Sequence, residues 1–162
     1  MDPDIKSMPD EDVINLYYEK AVSGFKKSWF NFSHNEKWYK YITELPEKEN
    51  TAYLVCLLDD QVYNGGFNQY FINGYGQFIK ESIVAFKRIK AFKMVELIEK
   101  AFLAVNFNND DYKLFRKKII EGKIDELYND TNSLNDYLEK LDDEYWEYPE
   151  NIGNLLSEYL TQ

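Results

Sequence analysis

The chain has 162 residues and a mass of 19.4 kDa, the size of one ordinary domain, and its 44% apolar and 17% aromatic content can build a core. A net charge of -10 disfavours contact with nucleic acid or anionic lipid and favours a basic partner. One cysteine, Cys56, and one histidine, His34, exclude a disulfide, a Cys/His zinc finger and a pair of histidine metal ligands.

Met1 to Lys6 is acidic and polar, unlike the basic start and apolar stretch of a secretory signal, so a cytoplasmic location is expected. Asp10 can cap a first helix with Val13, Leu16, Tyr17 and Ala21 at helical spacing and Gly24 as its stop. Trp29 to His34 reads as a turn or helix start, with His34 as a cap or surface residue. An aromatic-rich helix over Glu36 to Leu45 follows, stopped by Pro46. Asn50 or Thr51 can cap Ala52 to Tyr63, whose apolar run Ala52 to Leu58 is far short of the ~20 residues that span a bilayer. Asn64-Gly65-Gly66 and Asn73-Gly74-Tyr75-Gly76 break the chain twice, leaving Phe67 to Ile72 as one or two helical turns between them.

Helices are predicted next over Gln77 to Ile89, over Phe92 to Asn106 with Val95, Ile98, Phe102 and Val105 on one face, and over Asp110 to Glu121, ending at Gly122. Ser133 can cap a helix to Tyr148. Projected at about 100° per residue, Leu134, Tyr137, Leu138, Leu141, Tyr145 and Tyr148 gather on one side of it. Asp136, Glu139, Asp143 and Glu147 gather opposite, in axial steps of about 4.5–6 Å, with Lys140 interrupting and Trp146 on the flank. Pro149 precedes a last helix, Asn151 to Leu160. The pattern predicts an all-α, single-domain compact bundle of about seven to nine helices, without internal repeats.

The charge is unevenly spread. Residues 1–79 carry 12 acids and 7 bases, residues 80–123 carry 6 acids and 11 bases, and residues 124–162 carry 11 acids against Lys140 alone. The acids of this last stretch are interleaved with Leu, Tyr and Trp, so it reads as a strongly acidic folded segment. The basic middle stretch could instead fold against it and neutralise it.

Nucleophilic catalysis needs an activated Ser or Cys beside a base, yet Cys56 sits in an apolar run and reads as core. No G-x-S-x-G, P-loop or EF-hand spacing occurs, and Asp59 and Asp60 diverge by about 100° on a helix. The expectation is a protein that is not an enzyme and takes no metal or cofactor. Gln61 to Asn73 is the most distinctive passage. Read structurally, Gly65 and Gly66 allow positive φ at a corner, Asn64, Gln69 and Asn73 satisfy free backbone groups, and Phe67, Tyr70 and Phe71 fill the core. Read functionally, amides between aromatics could line a ligand or peptide pocket.

Asn64-Gly65-Gly66-Phe67, Gln69-Tyr70-Phe71 and Asn73, following an apolar helix, resemble the hallmark of the bacterial DNA-mimic proteins of the DMP-nineteen type, a domain of otherwise unknown function. Gly76 and the helical spacing around Ala85 and Ala101 fit as well. Gln61 stands where the family commonly has an acid, and Lys90-Ala91 where a Gly-Ala pair is common. The resemblance covers a family-like core from Asp10 to Phe107. It implies an all-helical, acidic, homodimeric protein that occupies the DNA-binding face of a transcription factor or nucleoid protein, carboxylates standing in for phosphates.

On this reading Asp136, Glu139, Asp143 and Glu147 meet the basic partner, with Asp125, Glu126, Asp142, Glu144 and Glu150 widening the patch and Trp146 beside it. The alternatives are an immunity or antitoxin-like inhibitor of a basic toxin such as a nuclease, with Trp146 as its anchor, and a small-ligand or peptide module built on Asn64 to Asn73.

Overall fold

The computed structural model describes residues 4–30, 35–128 and 132–162. His34 and Asp130 lie outside the described residues. Among those described, every regular element is helical: α1 (Asp10–Val22), α2 (Asn35–Glu44), α3 (Glu47–Ile72), α4 (Ile79–Arg88), α5 (Phe92–Val105), α6 (Tyr112–Glu121), α7 (Asp125–Tyr128), α8 (Asn132–Trp146) and α9 (Ile152–Leu160), with short 3-10 turns at Ile5–Ser7, Lys27–Phe30 and Tyr75–Phe78. No helix among them is long and apolar enough to cross a membrane.

The chain is organised around α3. Helices α1, α4 and α8 pack along it, α9 closes against α1, and α5 fills the space between α4 and α8. The reason is legible in the residues: Asn50 to Val55 form an unbroken buried run, and Leu58, Val62, Phe67, Tyr70 and Phe71 continue it on one side, so α3 is enclosed all round in its first half and on one face in its second. One contiguous core joins these side chains to Ile42, Phe78, Phe86, Met94 and Phe115. At one end of it Phe25, Tyr41, Trp38 and Phe78 stack edge to face, for example Trp38 on Phe78 at 5.0 Å between ring centres.

Helix boundaries depart from the sequence reading in ways that have physical causes. Asn50 and Thr51 do not cap α3; the helix starts at Glu47, directly after Pro46. Both are buried, and Asn50 instead bridges helices, donating from Nδ2 to the Ile42 carbonyl (2.8 Å) and accepting from Arg88 (3.0 Å). Asp10 is the first residue of α1, and Pro9 occupies the cap position. Ser133 likewise lies inside α8. By contrast, Asp111 and Asn151 cap α6 and α9 through their side chains, at 3.0 and 3.1 Å, and Gly122 ends α6 with φ +66°.

Hydrogen bonding carries α3 past Asn64-Gly65-Gly66, but the backbone does not stay helical there: Gly65 has φ -156° and Gly66 φ +75°, ψ -179°. The passage is therefore a kink that separates a long first limb from the short limb Phe67 to Ile72, close to the expected break. At the second break, Gly74 takes φ +82° and opens the turn Tyr75–Phe78.

Candidate functional site

A kink exposes backbone donors that a straight helix would satisfy, and the first N–H of the short limb belongs to Phe67. It donates to Asp142 Oδ1 of α8 at 2.7 Å. A carboxylate at the start of a helical limb also meets the positive end of its dipole. The approach is so close that a Cβ on Gly66 would collide with the Asp142 carboxylate, while one on Gly65 would collide with the Gln69 side chain. Gly66 thus provides both the conformation and the space for α8 to dock, and Gly65 leaves room for Gln69.

Further contacts fix the docking direction. Asn68 donates to Asn135 (2.6 Å), Trp146 Nε1 donates to the Val62 carbonyl (2.9 Å), and Tyr145 donates to Asp59 (2.8 Å). From Asn135–Asn68 through Asp142–Phe67 to Tyr145–Asp59, partner numbers fall along α3 as they rise along α8, so the helices run antiparallel across the kink. Leu134, Leu138, Leu141 and Tyr145 are buried as expected, and Tyr148 is half-buried and also donates to Asp59 at 3.3 Å. Tyr137, expected among them, is exposed.

The predicted acidic residues separate into different environments. Asp136, Glu139, Asp143 and Glu144 are exposed on α8, while Glu147, expected on the same helix, is exposed in the turn just past its end at Trp146; none of the five is in an ion pair with another described residue. Asp125 is exposed on α7 and Glu126 half-buried beside it. Asp142 is no part of that exposed row: it is 5% exposed and turned to the kink. Burial drives its carboxyl up to about 6, against the lowering by the Phe67 N–H, and the charges of Asp143 and Glu139 add to the rise. Glu150 is engaged too, accepting from the Lys93 and Met94 N–H groups at 3.0 Å each, the free donors at the start of α5.

The ion pairs that the basic middle segment makes lie elsewhere. Arg88 faces Glu47, Arg116 faces Glu36 at 3.1 Å and lies over the Tyr39 ring, Lys87 faces Glu99, Lys118 faces Asp110, and Lys123 faces Glu121. None of these counter-charges belongs to residues 124–162.

The motif residues fall into two groups. Phe67, Tyr70 and Phe71 are fully buried. Asn64 donates to the Asp60 carbonyl, and Gln69 and Asn73 both donate to Gln61 Oε1 at 3.2 and 3.1 Å, so the amides tie the two limbs together across the kink. Between the kink and α8 lies an open cleft of about 610 Å³. Cys56, packed against the core, has a thiol pushed up to about 12 by burial, which suits packing and not nucleophilic attack. Among the described residues no group of His, Cys, Asp and Glu side chains is placed to hold a metal ion.

A family model described as DMP19-like protein matches residues 43–162. The chain belongs to that family. Neither curated proteins nor solved structures gave a match. The match to the DMP19-like family begins later than the expected Asp10 to Phe107 core and runs further, through α8 and α9, so the kink and the acidic helix docked on it fall within one matched stretch.

Proposed function

We propose that this DMP19-like protein is a DNA mimic that presents α8 to the DNA-binding face of a basic protein, a transcription factor or nucleoid protein. The observation that carries the reading is the row Asp136, Glu139 and Asp143, with Glu147 just past the helix end: exposed, without ion pairs among the described residues, the first three spread over about 10 Å of one helix anchored on the core. A surface built to neutralise regularly spaced phosphates accepts such carboxylates, and a rigid support spares the ordering cost that a disordered acidic tail would incur. Glu144 and Asp125 extend the charged area, and a twofold dimer would present it twice, as dimeric DNA readers require.

The test is capture of basic proteins from native lysate on the immobilised full chain, with elution by duplex DNA and then by salt. A DNA-binding protein is expected to leave with the duplex, and the variant Asp136→Lys/Glu139→Lys/Asp143→Lys/Glu147→Lys is expected to retain none of it. Retention that survives the charge reversal, or that duplex DNA does not compete, overturns the reading.

A further inference from the structure

The cleft between the kink and α8 has a one-sided chemistry. Each amide on its α3 side turns one N–H of its NH2 group to the protein: Asn64 to the Asp60 carbonyl, Asn68 to Asn135, Gln69 to Gln61. Their carbonyl oxygens are left as acceptors. Asn68 Oδ1 is buried and no donor among the described residues reaches it. On the α8 side stands Asp142, nine-tenths buried, which uses Oδ1 for Phe67 while Oδ2 takes no hydrogen bond among the described residues. The rim carries the exposed carboxylates of Glu139 and Asp143. One wall is Trp146, 45% exposed, its indole N–H turned away into the Val62 carbonyl so that the ring and not a donor faces the opening.

A buried acceptor without a donor, a free carboxylate oxygen, an aromatic face and net negative charge specify the ligand by complement. The geometry points to this cleft as an arginine-binding subsite, which receives one arginine side chain of the basic partner. A guanidinium is planar, carries five N–H donors in a fixed fork and stacks on aromatic rings, whereas an ammonium offers three donors from a compact, strongly hydrated point. A neutral ligand would leave the carboxylates unanswered, and an anion would be repelled. This deepens the proposed function and rests on it for the identity of the partner. The subsite itself is separable: it singles out one place on the acidic face where the kinked glycine pair, the amides and α8 converge, and it makes recognition there depend on arginine as such and not on positive charge alone.

The experiment uses the 15N-labelled full chain and two probes, Nα-acetyl-arginine N-methylamide and its lysine counterpart, titrated at fixed ionic strength. The arginine probe is expected to give saturable shifts at the Asn68 and Gln69 side-chain amides and at the Trp146 indole N–H, and to bind about fivefold or more tighter than the lysine probe. Glu139→Gln/Asp143→Asn changes only exposed side chains and is expected to weaken the arginine probe about tenfold; Trp146→Ala is expected to erase the preference for arginine over lysine. Equal affinity of the two probes, shifts spread evenly along α8, or an unchanged affinity in the double variant overturns the subsite. Saturable arginine binding at the cleft in a protein that captures nothing competed by duplex DNA would leave the subsite standing and remove the DNA-mimic reading; the reverse pattern would do the opposite.

Discussion

At Gly66 two demands coincide, a backbone with φ +75° and ψ -179° and a carboxylate occupying the space of a side chain. That region of φ/ψ is essentially closed to other residues. Gly66→Ala should therefore cost on the order of 2–3 kcal/mol, read as a lowered urea midpoint, because it strains the backbone and pushes Asp142 off the Phe67 N–H. Asp142 makes a second prediction, of pH dependence. Its carboxyl is raised to about 6 in the fold from an ordinary value of 3.8, so the folded chain holds this proton more tightly than the unfolded one. The stability it contributes is fully present below the unfolded value and is lost as pH rises through about 6. The effect is on the order of 2 kcal/mol between pH 4 and 7. Asp142→Asn, with no charge to form, should flatten this part of the stability profile measured by denaturant titration at a series of pH values.

Among the elements, α5 begins without a capping side chain of its own: Ala91 occupies the cap position, and Glu150 supplies the acceptor from the turn between α8 and α9. Glu150→Ala should cost about 1 kcal/mol, measurable as a small fall in thermal midpoint, and should leave partner binding unaltered because the carboxylate is engaged inside the fold. That long-range cap could not be read from residues fifty-odd positions apart. Gly122 was read well because its signal is self-contained, whereas the helices expected from Asp110 and Asn151 start at Tyr112 and Ile152, with Asp111 and Asn151 as their caps. Reading failed where tertiary contact replaced a local cap, as at Asn50, whose amide serves α2 and Arg88. The acidic row of α8 was legible because amphipathic spacing separates exposed from buried positions, yet Asp142 was misplaced. Its position was available in the pattern, for Leu138, Leu141, Asp142 and Tyr145 share one face at spacings of three and four. Chemical type suggested surface, while helical phase placed it inside, and an acid on the apolar phase is itself a sign of a buried acceptor role.

Taken as a whole, the molecule keeps its charges apart. The ion pairs of the basic segment go to Glu36, Glu47, Glu99, Asp110 and Glu121, so none of them neutralises the carboxylates of α8. Binding to a basic partner should accordingly weaken roughly tenfold or more between 50 and 200 mM salt, and Asp136→Asn/Glu147→Gln should reduce the slope of log affinity against log salt, measured by titration calorimetry. The kink has a consequence for how such a face can be watched. The Phe67 amide proton bonds Asp142 of α8 across 75 positions of sequence. Deuterium uptake at that single amide therefore gauges the seating of the acidic helix: its protection factor reports the free energy of undocking in the resting protein, and any ligand that grips α8 and α3 together must slow it.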